Sequence, residues 1–148
     1  MQTISSLKLR EAKPSDRPHL LLWDTPNDLE LYHLAFQNQA QPISYRNNLL
    51  SRITPSRFLV LHERLDLELA AIKQICASSN KPVVLLEDVD CLITYLNTQP
   101  PVAPITLFWK KLKDMRHLES ILWIVLPSKL APENWPETRL GRIMTNPF

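Results

Sequence analysis

The apolar residues of this chain fall into short blocks separated by polar turns, and the blocks are of two kinds. HLLLW at 19–23, RFLVLHE at 57–63, PVVLLE at 82–87 and SILWIVLP at 120–127 are near-continuous runs. Such runs are the pattern of strands covered on both faces. PISYR at 42–46 reads as a further strand. The other blocks repeat with helical spacing. In DTPNDLELYHLAFQNQ, Leu29, Tyr32 and Phe36 form a stripe, with Thr25 as N-cap, Pro26 at the first helical position and Asp28 as the capping-box acid. In LDLELAAIKQICAS, Leu65, Leu69, Ile72 and Cys76 recur at steps of four, three and four. DVDCLITYLN opens a helix, and Ile105, Phe108, Leu112 and Met115 line one side of another over 105–117. Residues 47–56 read as connecting structure with at most a short helical turn, and the tail from Ser128, with Pro132, Pro136 and Pro147, as irregular.

Strands alternating with helices predict a three-layer α/β domain with about five mostly parallel strands and right-handed crossovers. A chain of 148 residues fits one domain. Residues 1–18, polar and containing Pro14 and Pro18, are expected as a flexible arm, and 19–148 as the single domain. No apolar run approaches the roughly 18–20 residues that cross a bilayer, and the N-terminus has no apolar core of a secretory signal. Cys76 and Cys91 lie in apolar surroundings outside any C-x-x-C pattern, as free thiols of a reducing compartment do. A cytoplasmic protein without membrane insertion is expected.

Composition changes the picture at one point. There is one glycine, Gly141, against thirteen prolines, where about ten glycines would be usual for this length. Phosphate-binding loops need glycine, because the backbone must approach the anion closely. An ordinary Gly-rich loop is therefore excluded before residue 141.

The candidate chemistry concentrates where strands end. Glu87, Asp88 and Asp90 follow the run PVVLL, and Asp24 and Glu63 follow two other strands. In open α/β sheets ligands bind beyond the carboxyl ends of the strands. An acid there can hold Mg²⁺ or orient water; it can equally cap the following helix. Without a phosphate loop the capping role is expected for Asp88 and Asp90. The alternative is a nucleotide- or metal-dependent enzyme using Glu87, Asp88 and Asp90, with Arg46 or Arg57 supplying positive charge. A second alternative is nucleic-acid binding by the basic face Lys110, Lys111, Lys113 and Arg116, with Trp109 among them. Asp114 interrupts that face, which reads first as the solvated side of an amphipathic helix. Net charge of +2 adds nothing to the nucleic-acid reading. His19, His33, His62 and His117 are scattered, without metal-ligand spacing. G-x-S-x-G is impossible before Gly141. No catalytic residue, metal or cofactor is expected. Trp23 and Trp123 belong in strands and in the core; Trp135, in PENWPE, is either an interface anchor or a lid on the core.

These residues also carry a resemblance. VVLLEDVDCL resembles the Walker B strand of AAA-type ATPases, and LLLWDTPNDLEL the strand and loop that carry Walker A in that family. On that correspondence Asp24 and Leu29 take the places of the two glycines, Glu30 that of the lysine and Leu31 that of the hydroxyl residue. LWIVLPSKLAPENWPETRLGRI resembles the later strand and the arginine-bearing segment, with Arg139 and Arg142 around Gly141. Over about residues 19–135 the order of elements is similar to that of RecA/KaiC-like regulatory domains of archaea and bacteria that lack a phosphate loop. ISYR (43–46), VVLLEDVDCLI (83–93), FWKKLKD (108–114) and LWIVLPSKL (122–130) carry the likeness. The resemblance implies a degenerate ATPase scaffold kept for binding: a protein-interaction or regulatory module whose partner is another protein, with a second copy in a homo-oligomer as an alternative and nucleic acid a lesser candidate. Its expected surface is Asp24, Glu63, Glu87, Asp88 and Asp90, the proline loop 99–104 and the segment around Trp135.

Overall fold

The computed structural model describes residues 7–52, 64–98 and 103–143. Its elements are β1 (His19–Leu22), α1 (Asp28–Gln37), β2 (Ala40–Ser44), α2 (Tyr45–Arg52), α3 (Leu65–Ser78), β3 (Val83–Glu87), α4 (Asp90–Asn97), α5 (Ala103–Asp114), β4 (Ile121–Leu126) and β5 (Leu140–Arg142). The five strands form one sheet in the order β2-β3-β4-β1-β5, and every described pairing is parallel.

The apolar runs at 19–22, 83–86 and 121–126 are central strands because side chains from both of their faces find cover. Leu20, Leu22, Val84, Leu86, Leu122, Ile124 and Leu126 point to a core completed by α2, α3, α4 and α5. Leu21, Val83, Leu85, Trp123 and Val125 point the other way, to a core completed by α1, Trp23 and the N-terminal segment. Fully burying one such side chain contributes about 1.5–3 kcal/mol. The connection from β1 to β2 runs along one face in one direction; those from β2 to β3 and β3 to β4 run along the other face in the opposite direction. Reversing both direction and face preserves a single crossover hand.

Several expectations shift. The expected strand 42–46 is instead β2 at 40–44, and Tyr45 and Arg46 open α2. Tyr45 turns inward, where its hydroxyl donates to Glu68 of α3, and Arg52 donates to both oxygens of the same carboxylate. That shared acceptor fixes a helix where connecting structure was expected. The expected strand 57–63, with Arg57, His62 and Glu63, lies outside the described residues, as do 99–102 of the proline loop. The tail contains a strand: Leu140, Gly141 and Arg142 pair with Leu20, Leu21 and Leu22. Gly141 is placed there by space, since a Cβ would stand 3.2 Å from Leu21 Cδ1 and Trp123 Cζ3.

The described part of the expected arm is packed. Leu7 and Leu9 are buried, the Leu9 N–H donates to Asn38 Oδ1 (2.8 Å), and Trp123 Nε1 donates to the Leu9 carbonyl (3.1 Å). With no glycine before residue 141, the left-handed positions among the described residues fall to Gln39, Asp88 and His117, at roughly 1 kcal/mol each or more. The helix expected over 105–117 spans Ala103–Asp114 instead. No described helix is long and apolar enough to cross a membrane.

Candidate functional site

Because the strands are parallel, their carboxyl ends share one edge, where Ser44 and Glu87 end β2 and β3, and Asp24, Asp88 and Ser128 lie just beyond β1, β3 and β4. The chain leaves β1 toward the α1 face and leaves the adjacent β4 toward the opposite one. This divergence makes the β1/β4 boundary the switch point at which open α/β sheets take ligands. Here the boundary is bridged. Asp24 Oδ1 accepts the N–H of Ser128 at 2.7 Å, and the Trp23 N–H donates to the Leu126 carbonyl at 2.8 Å. The Ser128 hydrogen bonds hold the Asp24 carboxyl below its usual pKa, so it stays a carboxylate.

The first turn of α1 is closed in the same way. Asn27, not Thr25, is the N-cap: its Oδ1 accepts from the Glu30 N–H (2.8 Å) and its Nδ2 donates to Glu30 Oε1 (2.6 Å). This is a reciprocal capping pair, and it uses a donor that an anion at a helix N-terminus would need. Asp28 and Glu30 add negative charge to the same turn. The sequence N-D-L-E already contains this signal, three residues apart.

At the end of β3 the three acids separate. Asp88 has φ 66°. Its Oδ2 accepts the Ser44 hydroxyl, and its Oδ1 stands 3.3 Å from Arg46 Nη2. Val89 occupies the N-cap of α4 without a side-chain cap bond, so neither Asp88 nor Asp90 caps the helix through its carboxylate, contrary to expectation. Asp90 is exposed in the first turn of α4, where it faces the positive helix end. Glu87 is half-buried, and its carboxyl is pushed above its usual pKa by burial and then by the charges of Asp88 and Asp28. Asp28 and Asp90 have no ion-pair partner among the described residues.

The basic face divides. Lys111 pairs with Asp66 of α3 at 2.6 Å, and Arg116 lies beyond the end of α5. Lys110 and Lys113 share with Thr106 and Trp109 a groove of about 400 Å³ closed by Pro132–Trp135, which also contains Asp114 and Glu133. Trp135 is buried, the lid of the two roles considered. Its ring meets Trp109 edge-on at 6.0 Å, its Nε1 donates to the Arg139 carbonyl, and the Arg139 guanidinium lies 4.9 Å from its ring centre. Arg139 is itself buried and donates to the carbonyls of Pro18 and Lys113, while Arg142 pairs with Glu137.

His19 is buried with Nε2 2.8 Å from the Pro14 carbonyl; its Nδ1 is buried without a partner, and burial lowers its pKa. Cys76 is buried, its thiol pushed up to about 12, and Cys91 is half-buried. Among the described residues no group of three or more His, Cys, Asp or Glu side chains converges to hold a metal ion. Ser44 and Ser128 join the edge without having been singled out in the sequence, and Asp28, read there as a capping-box acid, joins it as an exposed charge in the first turn of α1. Ser44 and Ser128 carry no local signal, since their partners lie 44 and 104 residues away. Comparison with protein-family models, curated proteins and solved structures returns no match to this chain.

Proposed function

We propose that this domain is a non-catalytic interaction module that binds a basic segment of another protein at the carboxyl edge of its sheet. On this reading the scaffold is of the RecA/AAA-like P-loop kind, with the phosphate site filled in. The observation that carries the reading is the Asp24–Ser128 bond across the β1/β4 switch point. Where a nucleotide would enter, a carboxylate binds the neighbouring loop, and the helix end behind it is already capped by Asn27. Around that closure Asp28, Glu87 and Asp90 present negative charge, which repels phosphate and attracts lysine or arginine.

The enzyme alternative has less support, because Arg46 is engaged by Asp88. The nucleic-acid alternative has less as well, because Lys111 is engaged by Asp66 and the groove beside Lys110 and Lys113 contains two acids.

The test has two arms. Nucleotides with and without Mg²⁺ should leave the melting temperature unchanged. Affinity purification from the native cell should recover a partner that Asp28→Lys and Glu87→Lys lose while keeping the fold. Mg²⁺-dependent stabilisation by ATP that Asp88→Ala abolishes would replace the binding reading with the enzymatic one.

A further inference from the structure

Helix α1 is apolar on two sides. Leu31, Leu34 and Ala35 are buried against the sheet. On the opposite side Leu29, Tyr32 and Phe36 are exposed at 67%, 66% and 76%. The apolar stripe visible in the sequence is thus the solvent face of the helix. Two aromatic rings and a leucine on one face make a contiguous patch of the kind that marks a contact site.

We propose that this face is self-complementary, and that two copies of the chain pair through α1 about a two-fold axis. The first argument is spacing. Positions 29, 32, 33 and 36 are i, i+3, i+4 and i+7, a series that reads the same in either direction. A second α1 laid antiparallel on the first sets each Leu29 against Phe36 of the other copy and each Tyr32 against His33. A two-fold axis through the middle of α1 makes each of these contacts twice.

The second argument is charge. The first turn of α1 carries Asp28 and Glu30, and its last turn has no basic residue. Positive charge at the far end comes from elsewhere in the chain. The Leu9–Asn38 hydrogen bond places the N-terminal segment at the C-cap of α1, where Lys8, Arg10 and Glu11 are exposed and leave one net positive charge. In an antiparallel pair the acidic end of each α1 faces the basic end of the other, so the complementarity is used twice. A parallel pairing would set acid against acid.

The area sets the expected strength. A stable interface buries roughly 800 Å² on each partner, more than three side chains supply, so the dimer should be reversible and form in the micromolar range.

Sedimentation equilibrium of the purified full chain from about 5 to 500 μM reads the result. A monomer–dimer equilibrium is expected, with Tyr32→Glu monomeric throughout and unchanged in circular dichroism. Phe36→Ser, at the most exposed of the three positions, serves if Tyr32→Glu does not fold. Asp28→Lys and Lys8→Glu should each raise the dimer Kd about tenfold, and the double variant should recover most of that loss. A wild-type chain monomeric at every concentration overturns the proposal. So does a dimer that survives folded Tyr32→Glu or Phe36→Ser, and so does a double variant no better than the single ones.

Discussion

Ser44 at the end of β2 donates its hydroxyl to Asp88 at the end of β3, and the same carboxylate holds Arg46 at 3.3 Å. One side chain thereby ties the edge strand and the start of α2 to the centre of the sheet. Asp88 does this from a left-handed backbone conformation, φ 66°, which Asp and Asn tolerate better than Ala. Asp88→Ala loses the bond and adds backbone cost, about 1–3 kcal/mol together. Asp88→Asn keeps an acceptor for Ser44 and should cost less than half as much. Urea denaturation of the two variants separates these terms. An Asp88→Ala chain as stable as wild type would mean that the edge is held without this carboxylate.

Glu87 points to the opposite pH behaviour from an ordinary surface acid. Burial first, then Asp88 and Asp28, raise its folded pKa above the unfolded 4.5. A raised pKa favours folding while the group is protonated and loses that advantage as pH rises through the folded value. At pH 7 the carboxylate therefore opposes folding. Glu87→Gln should melt at a higher temperature than wild type at pH 7, and the gap should close as pH falls below about 4.5. Paired melting curves across that range give the answer; a variant less stable than wild type at pH 7 would contradict it.

What could be read from the sequence follows from what decides each element. The runs at 83–87 and 121–126 announce themselves because both faces of those strands are covered. Strand β2 is an edge strand containing Pro42 and polar Gln41 and Ser44, so its limits slip by two residues. Strand β5, three residues long, has no periodicity and exists only because Leu20–Leu22 offers it an edge. Helix α1 carries apolar residues at 29, 32 and 36 and also at 31, 34 and 35, so periodicity identifies the helix but not which side meets the sheet. The acids at 87, 88 and 90 were legible as a strand end. Their separate roles were not, because Ser44, Arg46 and Asp28 are remote in sequence.

His19 makes acid a destabilising condition. Its ring stacks near Trp123 at 4.9 Å, and burial, with Arg139 adding a smaller push, lowers its pKa; the Pro14 hydrogen bond only partly offsets them. A lowered histidine pKa means that the unfolded chain takes up the proton first, so stability fully present above pH 6.5 is lost as pH falls from there through the lower folded value. The urea midpoint should drop between pH 7.5 and 5.5, and the drop should be smaller in His19→Phe, which cannot take up that proton. Equal drops in the two proteins would place the acid sensitivity elsewhere.

Gly141 tests why a chain nearly devoid of glycine has one here. Its backbone pairs with Leu21 at the edge of β1, and an added methyl would stand 3.2 Å from Leu21 Cδ1 and from Trp123 Cζ3. Leu21 is buried in a central strand, and the indole of Trp123 is held by its bond to the Leu9 carbonyl, so neither yields freely. Gly141→Ala should cost about 1–3 kcal/mol, the range for overpacking a dense site. That outcome runs against the usual gain from glycine to alanine at a position without positive φ, where the unfolded chain loses freedom. Gly141→Ala combined with Leu21→Val should recover part of the loss, because the shortened side chain opens the space the methyl needs. The double-mutant cycle reads the contact directly: coupling of at least about 0.5 kcal/mol identifies steric fit, and additivity would mean that this glycine is retained for some reason other than the approach of β5 to β1.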